Sequence, residues 1–120
     1  MSQTVVPMIH VSDVRATVKW YASIGFHRQG TNEEDGEMNW AKLSLGNSEI
    51  MFSAAGKPGN EHRREVDLYI RTNDVDGTFR RLEQQVEVVE GPHDTFYGMR
   101  EFIIRDCNGF WITFGEPAKA

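Results

Sequence analysis

The sequence predicts an α+β fold of two tandem βαβββ modules, forming an open barrel-like cup with its helices outside. Three observations carry this. The order strand–helix–strand–strand–strand is legible twice. The two runs superimpose at a fixed offset: adding 61 takes Ile9 to Ile70, Asp13 to Asp74, Val14 to Val75, Thr17 to Thr78 and Met38 to Met99, and adding 62 takes Ile50 to Ile112 and Phe52 to Phe114. Between the runs lies a stretch with Gly56, Pro58, Gly59 and Asn60, the composition of a linker. Self-similarity at one period marks units that each leave an apolar face to be covered by a neighbour. A four-stranded sheet with a helix on one face needs a partner for the other, and two such modules can enclose a cleft. The boundaries fall at about 4–54 for module 1, 55–64 for the linker and 65–117 for module 2, all within one domain spanning 1–120.

Each element has a local reason. Residues 5–10 alternate as a strand, and Pro7, which has no amide to donate, places that strand at an edge or a module junction. Ser12 or Asp13 caps a helix to about Ile24, with Val14, Thr17, Val18, Tyr21 and Ile24 on one stripe and Gly25 as the stop. A short strand at 26–29 leads into an acidic run, 31–37, whose charge reads as a solvated turn. Strands at 39–45 and 49–53 flank Gly46-Asn47.

In the second half, 66–71 is a strand, and Asp74 caps a helix with Val75, Thr78, Phe79 and Leu82 on its stripe. Residues 86–89 form a short strand and 91–98 a glycine-bounded loop. The final hairpin pairs 100–105 with 110–114 across Asp106-Cys107-Asn108-Gly109, Asn-Gly being a strong turn signal, and Gly98 and Gly115 read as the breakers that bracket it. Its last strand puts Phe110, Ile112 and Phe114 on a core face and Trp111 with Thr113 on the other. A large aromatic beside a small hydroxyl suggests a cavity wall.

Totals narrow the function. The chain has 120 residues, and its net charge of −5 argues against a nucleic-acid partner, whose phosphates call for a basic surface. No apolar run approaches the roughly 18 residues of a spanning helix, so no membrane partner is expected, and residues 1–4 are not a signal peptide. A single cysteine, Cys107, allows no internal disulfide and fits a reducing compartment, hence a cytoplasmic protein. Cys107 sits in a turn with no helix start to lower its pKa, which argues against nucleophilic use. No phosphate-binding glycine loop or nucleophile elbow is present.

The duplicated βαβββ order resembles the vicinal oxygen chelate superfamily, which includes glyoxalase I, bleomycin-resistance and fosfomycin-resistance proteins and extradiol dioxygenases. The resemblance rests on VPMIHVSDVRATVKWYASIGF, VDLYIRTNDVDGTFRRL and YGMREFIIRDCNGFWITFGEP, covers roughly residues 5–117, and is greatest toward the small bleomycin-resistance type. Cys107 departs from it, since the family turn usually carries proline. The resemblance implies metal ligands, usually His, Gln or Glu, on the first and fourth strands of each module. Carried over, these positions hold Val6, Met51, Asp67 and Thr113. Only Asp67 is a carboxylate or imidazole donor, so the usual divalent site, and the lyase or dioxygenase chemistry that needs it, is expected to be missing. No cofactor is expected; the alternative is a divalent metal.

Strand alternation selects the cleft face. In module 1 it carries Val6, Met8, His10, Trp40, Lys42, Glu49, Met51 and Ser53. In module 2 it carries Asp67, Tyr69, Arg71, Glu101, Ile103, Trp111 and Thr113. Trp40, Tyr69 and Trp111 can stack a planar or cationic ligand, and Glu49, Asp67 and Glu101 can pair with a ligand cation or with Arg71 and Lys42. His10 reads first as a structural or ion-paired histidine, and Trp111 equally as dimer packing. His27, His62 and His93 lack ligand spacing and read as surface residues. The expected function is a metal-free protein that sequesters a small aromatic or cationic ligand in a homodimeric cleft. The alternative is a lyase or dioxygenase whose displaced metal uses His10, Glu49 and Asp67.

Overall fold

The computed structural model describes residues 4–56 and 64–119. It divides into two compact units, Met1–Pro58 and Gly59–Ala120, and each contains one βαβββ module. The predicted linker lies largely outside the described residues, as does His62. At its near end, the Ala54 amide donates to Asn39 O at 3.0 Å and the Gly56 amide to Val11 O at 3.0 Å.

Module 1 consists of β1 (Met8–His10), α1 (Val14–Ser23), β2 (His27–Glu34), β3 (Glu37–Leu45) and β4 (Ser48–Ser53). Its sheet runs β1-β4-β3-β2, with β1 parallel to β4 and the other pairs antiparallel. Asp13 caps α1, its Oδ1 accepting from the Ala16 amide at 2.9 Å. The helix turns Val14, Thr17, Val18 and Tyr21 inward. The Tyr21 ring is fully buried, 4.9 Å from Phe52 and 5.1 Å from Phe26. Ala41, Leu43, Ile50 and Phe52 complete this core from the sheet.

Two sequence expectations for module 1 need correction. The first strand is shorter than 5–10, because Pro7 stands just outside it and contributes only a carbonyl, accepting from the Met51 amide at 2.8 Å. The acidic run 31–37 is mostly strand: β2 continues to Glu34, and only Asp35-Gly36, with φ of 52° and 80°, make the turn. Asp-Gly in this conformation fits a two-residue hairpin. Glu33 and Glu34 belong to the edge strand β2, where they face solvent and discourage further pairing. Glu33 pairs with Arg15 of α1.

Module 2 consists of β5 (Asp67–Arg71), α2 (Val75–Leu82), β6 (Glu87–Asp94), β7 (Met99–Arg105) and β8 (Trp111–Pro117), in the sheet order β5-β8-β7-β6. Asp74 caps α2 through Gly77 N at 3.0 Å, and Glu116 Oε2 accepts from Val75 N at 2.6 Å. Val75, Leu82, Phe102, Ile104, Ile112 and Phe114 are buried together, with Phe102 stacked on Phe114 at 4.8 Å.

The 91–98 loop shrinks to 95–98, because β6 carries on through Gly91, Pro92 and His93. Register shifts between Val88 and Glu90 and between Glu90 and His93 accommodate the proline in this edge strand. The final hairpin is closed by Asp106 and Phe110, whose backbones bond at 2.8 Å, leaving Cys107, Asn108 and Gly109 as its loop. Buried Asp106 organises it, Oδ1 accepting from the Asn108 and Phe110 amides at 2.8 Å each. Gly115 is no breaker; it lies inside β8.

Candidate functional site

In each module the helix packs on one face of the sheet, and the alternate residues form a second face that its own helix leaves uncovered. On module 1 that face carries Met8, His10, Trp40, Lys42, Glu49, Met51 and Ser53, as the alternation predicts, whereas Val6, expected on the same face, precedes β1. Register sets their neighbours: Met8 and Lys42 flank Met51, while His10 and Trp40 flank Ser53. The Trp40 ring lies over β2, where a Cβ on Gly30 would sit 3.5 Å from it.

The charged groups and the histidine of this face are already engaged. Lys42 Nζ is 3.5 Å from Glu49 Oε2, and His10 Nδ1 is 3.2 Å from the Ala54 carbonyl. His10 therefore fixes the segment after β4. It stands beside Ser53 whereas Glu49 pairs with Ser44, about 13 Å away along β4 at the usual strand rise. The structure does not bring these two members of the displaced metal set together. Among the described residues, no three His, Cys, Asp or Glu side chains gather as a metal-binding group.

Module 2 is more telling. Its uncovered face is organised in rows: Asp67, Trp111 and Arg105; Tyr69, Thr113 and Ile103; Arg71, Gly115 and Glu101. Asp67 and Arg71 occupy opposite ends of β5, both exposed. Trp111 and Thr113 are partly buried on β8. Glu101 is only 4% exposed. Its Oε2 accepts from the Tyr69 hydroxyl and its Oε1 from the Tyr97 hydroxyl, both at 2.7 Å.

Gly115 makes this arrangement possible. Tyr69 must cross β8 to reach Glu101 on β7, and a Cβ at Gly115 would fall on its hydroxyl and lie 2.6 Å from its Cζ. The residue at this crossing must therefore lack a side chain. Burial, followed by the bond to Glu101, raises the Tyr69 pKa to about 12. The same carboxylate raises that of Tyr97, chiefly through its hydrogen bond. Both phenols stay protonated and donate.

Sequence reasoning placed Tyr69 and Glu101 on one face but missed Tyr97. That residue sits in the 95–98 turn, where strand alternation gives no direction. Thr95 closes the turn, its amide donating to Met99 O at 2.7 Å and its Oγ1 accepting from Met99 N at 3.0 Å. The neighbouring Phe96 is fully exposed, its ring 5.1 Å from that of Tyr97. His27 is exposed, as expected. His93 lies on the edge strand β6 with its side chain 34% exposed, Nδ1 2.9 Å from Gly91 O and Nε2 3.7 Å from Glu90.

A cavity of about 220 Å³ opens elsewhere on module 2, between the start of α2 and the ends of β6 and β8. Arg100 dominates it, held by Asp76 through two bonds of 2.9 Å and by Asp94 at 3.0 Å. Arg100 in turn holds the Asp76 carboxyl below the usual carboxylate range. Glu116 is occupied by the helix start. These charges satisfy one another, which makes the cavity a structural ion-pair cluster and leaves the Tyr69–Glu101–Tyr97 face as the candidate site.

Comparison with solved structures places the fold. The chain is similar to TioX from Micromonospora sp. ML1 at 20% identity and a TM-score of 0.77, covering 96% of this chain and 99% of that one. It is similar to a bleomycin-binding protein complexed with bleomycin at 16% identity and a TM-score of 0.72, covering 96% and 98%. It is also similar to TnmS3, an antibiotic-binding protein from Streptomyces sp. CB03234, at 23% identity and a TM-score of 0.70, covering 98% and 99%. No curated protein matches the chain. No helix among the described residues is long and apolar enough to cross a membrane. The family model of the Glyoxalase/Bleomycin resistance protein/Dioxygenase superfamily matches residues 4–114, and the chain belongs to that superfamily.

Proposed function

We propose that the protein is a small-molecule-binding protein that sequesters a small aromatic or cationic ligand in the cleft of a homodimer, without a metal. The observation that carries this is the uncovered face of module 2. There a buried carboxylate, Glu101, is framed by the phenols of Tyr69 and Tyr97 on a sheet that also presents Trp111 and Thr113. Aromatic surface with a few convergent polar groups is how small-molecule sites are built. The likeness to bleomycin-binding and antibiotic-binding folds supports the same reading.

The metal-free part rests on donor chemistry. At the positions the superfamily resemblance assigns to ligands, Val6 offers an aliphatic chain, Met51 a thioether and Thr113 a neutral hydroxyl. Hard divalent ions are held by carboxylate oxygens and imidazoles, and Asp67 alone provides one.

A thermal-shift screen tests the reading, because a ligand that binds only the native state raises its melting temperature. Small aromatic cations are expected to raise it, and nickel, zinc, manganese and iron(II) to leave it unchanged. Trp111→Ala is expected to weaken an aromatic ligand by about 1 kcal/mol or more through lost stacking. Near-stoichiometric metal after chelator-free purification, lost on Asp67→Ala, would overturn the metal-free reading and favour an enzyme. The homodimer is tested separately by light scattering, expected to give the mass of two chains at micromolar concentration. The mass of one chain would exclude it.

A further inference from the structure

We infer that Glu101 anchors a cation subsite for ligands carrying a planar amidinium or guanidinium group, and that the 95–98 turn opens when such a group replaces the Tyr97 hydroxyl on the Glu101 carboxylate. The inference deepens the ligand-binding reading above and rests on it.

The starting point is an electrostatic imbalance. A buried carboxylate is costly unless it is paired and fully hydrogen-bonded. Among the described residues, no lysine, arginine or histidine forms an ion pair with Glu101. Arg71 shares its row, but β8 stands between them, and two strand spacings put the backbones about 10 Å apart. Each Glu101 oxygen accepts a single neutral hydroxyl, whereas a carboxylate has about four acceptor sites. A cation that brings N–H donors would supply both the missing charge and the missing bonds. A planar fork of donors matches the two oxygens best, and the flanking phenol rings favour a cation over their faces.

The two phenols are not equivalent. Tyr69 belongs to a regular strand, its ring seated over Gly115. Tyr97 belongs to a short turn and lies against the fully exposed Phe96, although the two tyrosines are alike in exposure, 48% for Tyr69 and 57% for Tyr97. The strand-borne hydroxyl is the fixed member, and the turn-borne one is the member a ligand can displace. Phe96 and Tyr97 would then swing as a pair, which gives a fully exposed phenylalanine an apolar ligand surface to cover.

The test uses the full chain, with benzamidine as the planar cation and benzamide as its neutral counterpart. Binding is followed by backbone amide resonances. Benzamidine is expected to bind, benzamide to bind at least about tenfold more weakly, and the largest shifts to fall at 95–98 rather than in β5. Glu101→Gln keeps the shape and removes the charge, and should erase the preference for benzamidine. Tyr97→Phe leaves one carboxylate oxygen vacant in the free protein, so it should tighten benzamidine by about fivefold. Weaker binding to Tyr97→Phe, or a preference that survives in Glu101→Gln, would overturn the inference. Equal binding of benzamidine and benzamide, both weakened by Trp111→Ala, would also overturn it while leaving the general ligand-binding reading in place. Binding of neither would count against both.

Discussion

Phe102→Ala is expected to remove about 3–5 kcal/mol of stability, the cost of truncating a fully enclosed aromatic. Phe102 has no exposed surface. Its ring stacks on Phe114 at 4.8 Å and 13°, and meets Phe79 of α2 edge-on at 5.3 Å. It thus joins β7, β8 and α2 at one point, and the stiff rings around it cannot collapse into the space an alanine leaves. Domains of this size hold about 5–15 kcal/mol in total, so the variant should lie close to its unfolding threshold. Urea unfolding should show a large drop in midpoint with an unchanged slope. A drop worth less than about 1 kcal/mol would mean that the module 2 core is not the packed unit described above. The uncovered face hangs on this core, because Glu101 and Ile103 alternate with Phe102 and Ile104 along β7.

How far the sequence carries depends on what kind of regularity each residue obeys. Where a strand keeps its register, period-two alternation assigns faces correctly. The pairings β5–β8 and β7–β8 run without a shift, and Tyr69, Glu101, Trp111 and Thr113 all lie on the face that alternation predicts. Asp13 and Asp74 cap their helices for a purely local reason, which is also why the 61-residue repeat preserves them. The edge strands were harder. β2 and β6 carry register shifts, charged residues and, in β6, a proline, so their composition imitates a loop. Their strand character comes from the neighbouring strand, which local composition does not encode. Tyr97 was invisible for a third reason. A turn residue has no period, and its link to Glu101 depends on the chain folding back at 95–98. Gly115 shows the same limit, since its reason for being glycine is a tyrosine 46 positions earlier in the chain.

That crossing yields the last expected result. Gly115→Ala should lower stability by about 1–3 kcal/mol, the cost of leaving one oxygen of the buried Glu101 carboxylate without its Tyr69 donor. The new Cβ would meet the Tyr69 hydroxyl and Cζ, and the Gly115 backbone is pinned between β5 and β7. The ring must therefore lift away and lose its bond to Glu101. A second consequence is spectroscopic. In the native protein Tyr69 holds its proton to about 12 against the usual 10. Between those values the unfolded chain binds fewer protons than the folded one, so the Tyr69 contribution to stability is complete below pH 10 and is lost as pH rises to about 12. With the ring displaced, the late step in tyrosinate absorbance should move back toward the usual value, and the Tyr69-linked loss of stability between pH 10 and about 12 should shrink with it. The control is a double-mutant cycle with Tyr69→Ala: once the ring is gone, Gly115→Ala should cost little, and the difference measures the crossing itself. An unchanged tyrosinate titration in Gly115→Ala, or an equal cost with and without the Tyr69 ring, would show that glycine is required at this position for some reason other than the passage of Tyr69 to Glu101.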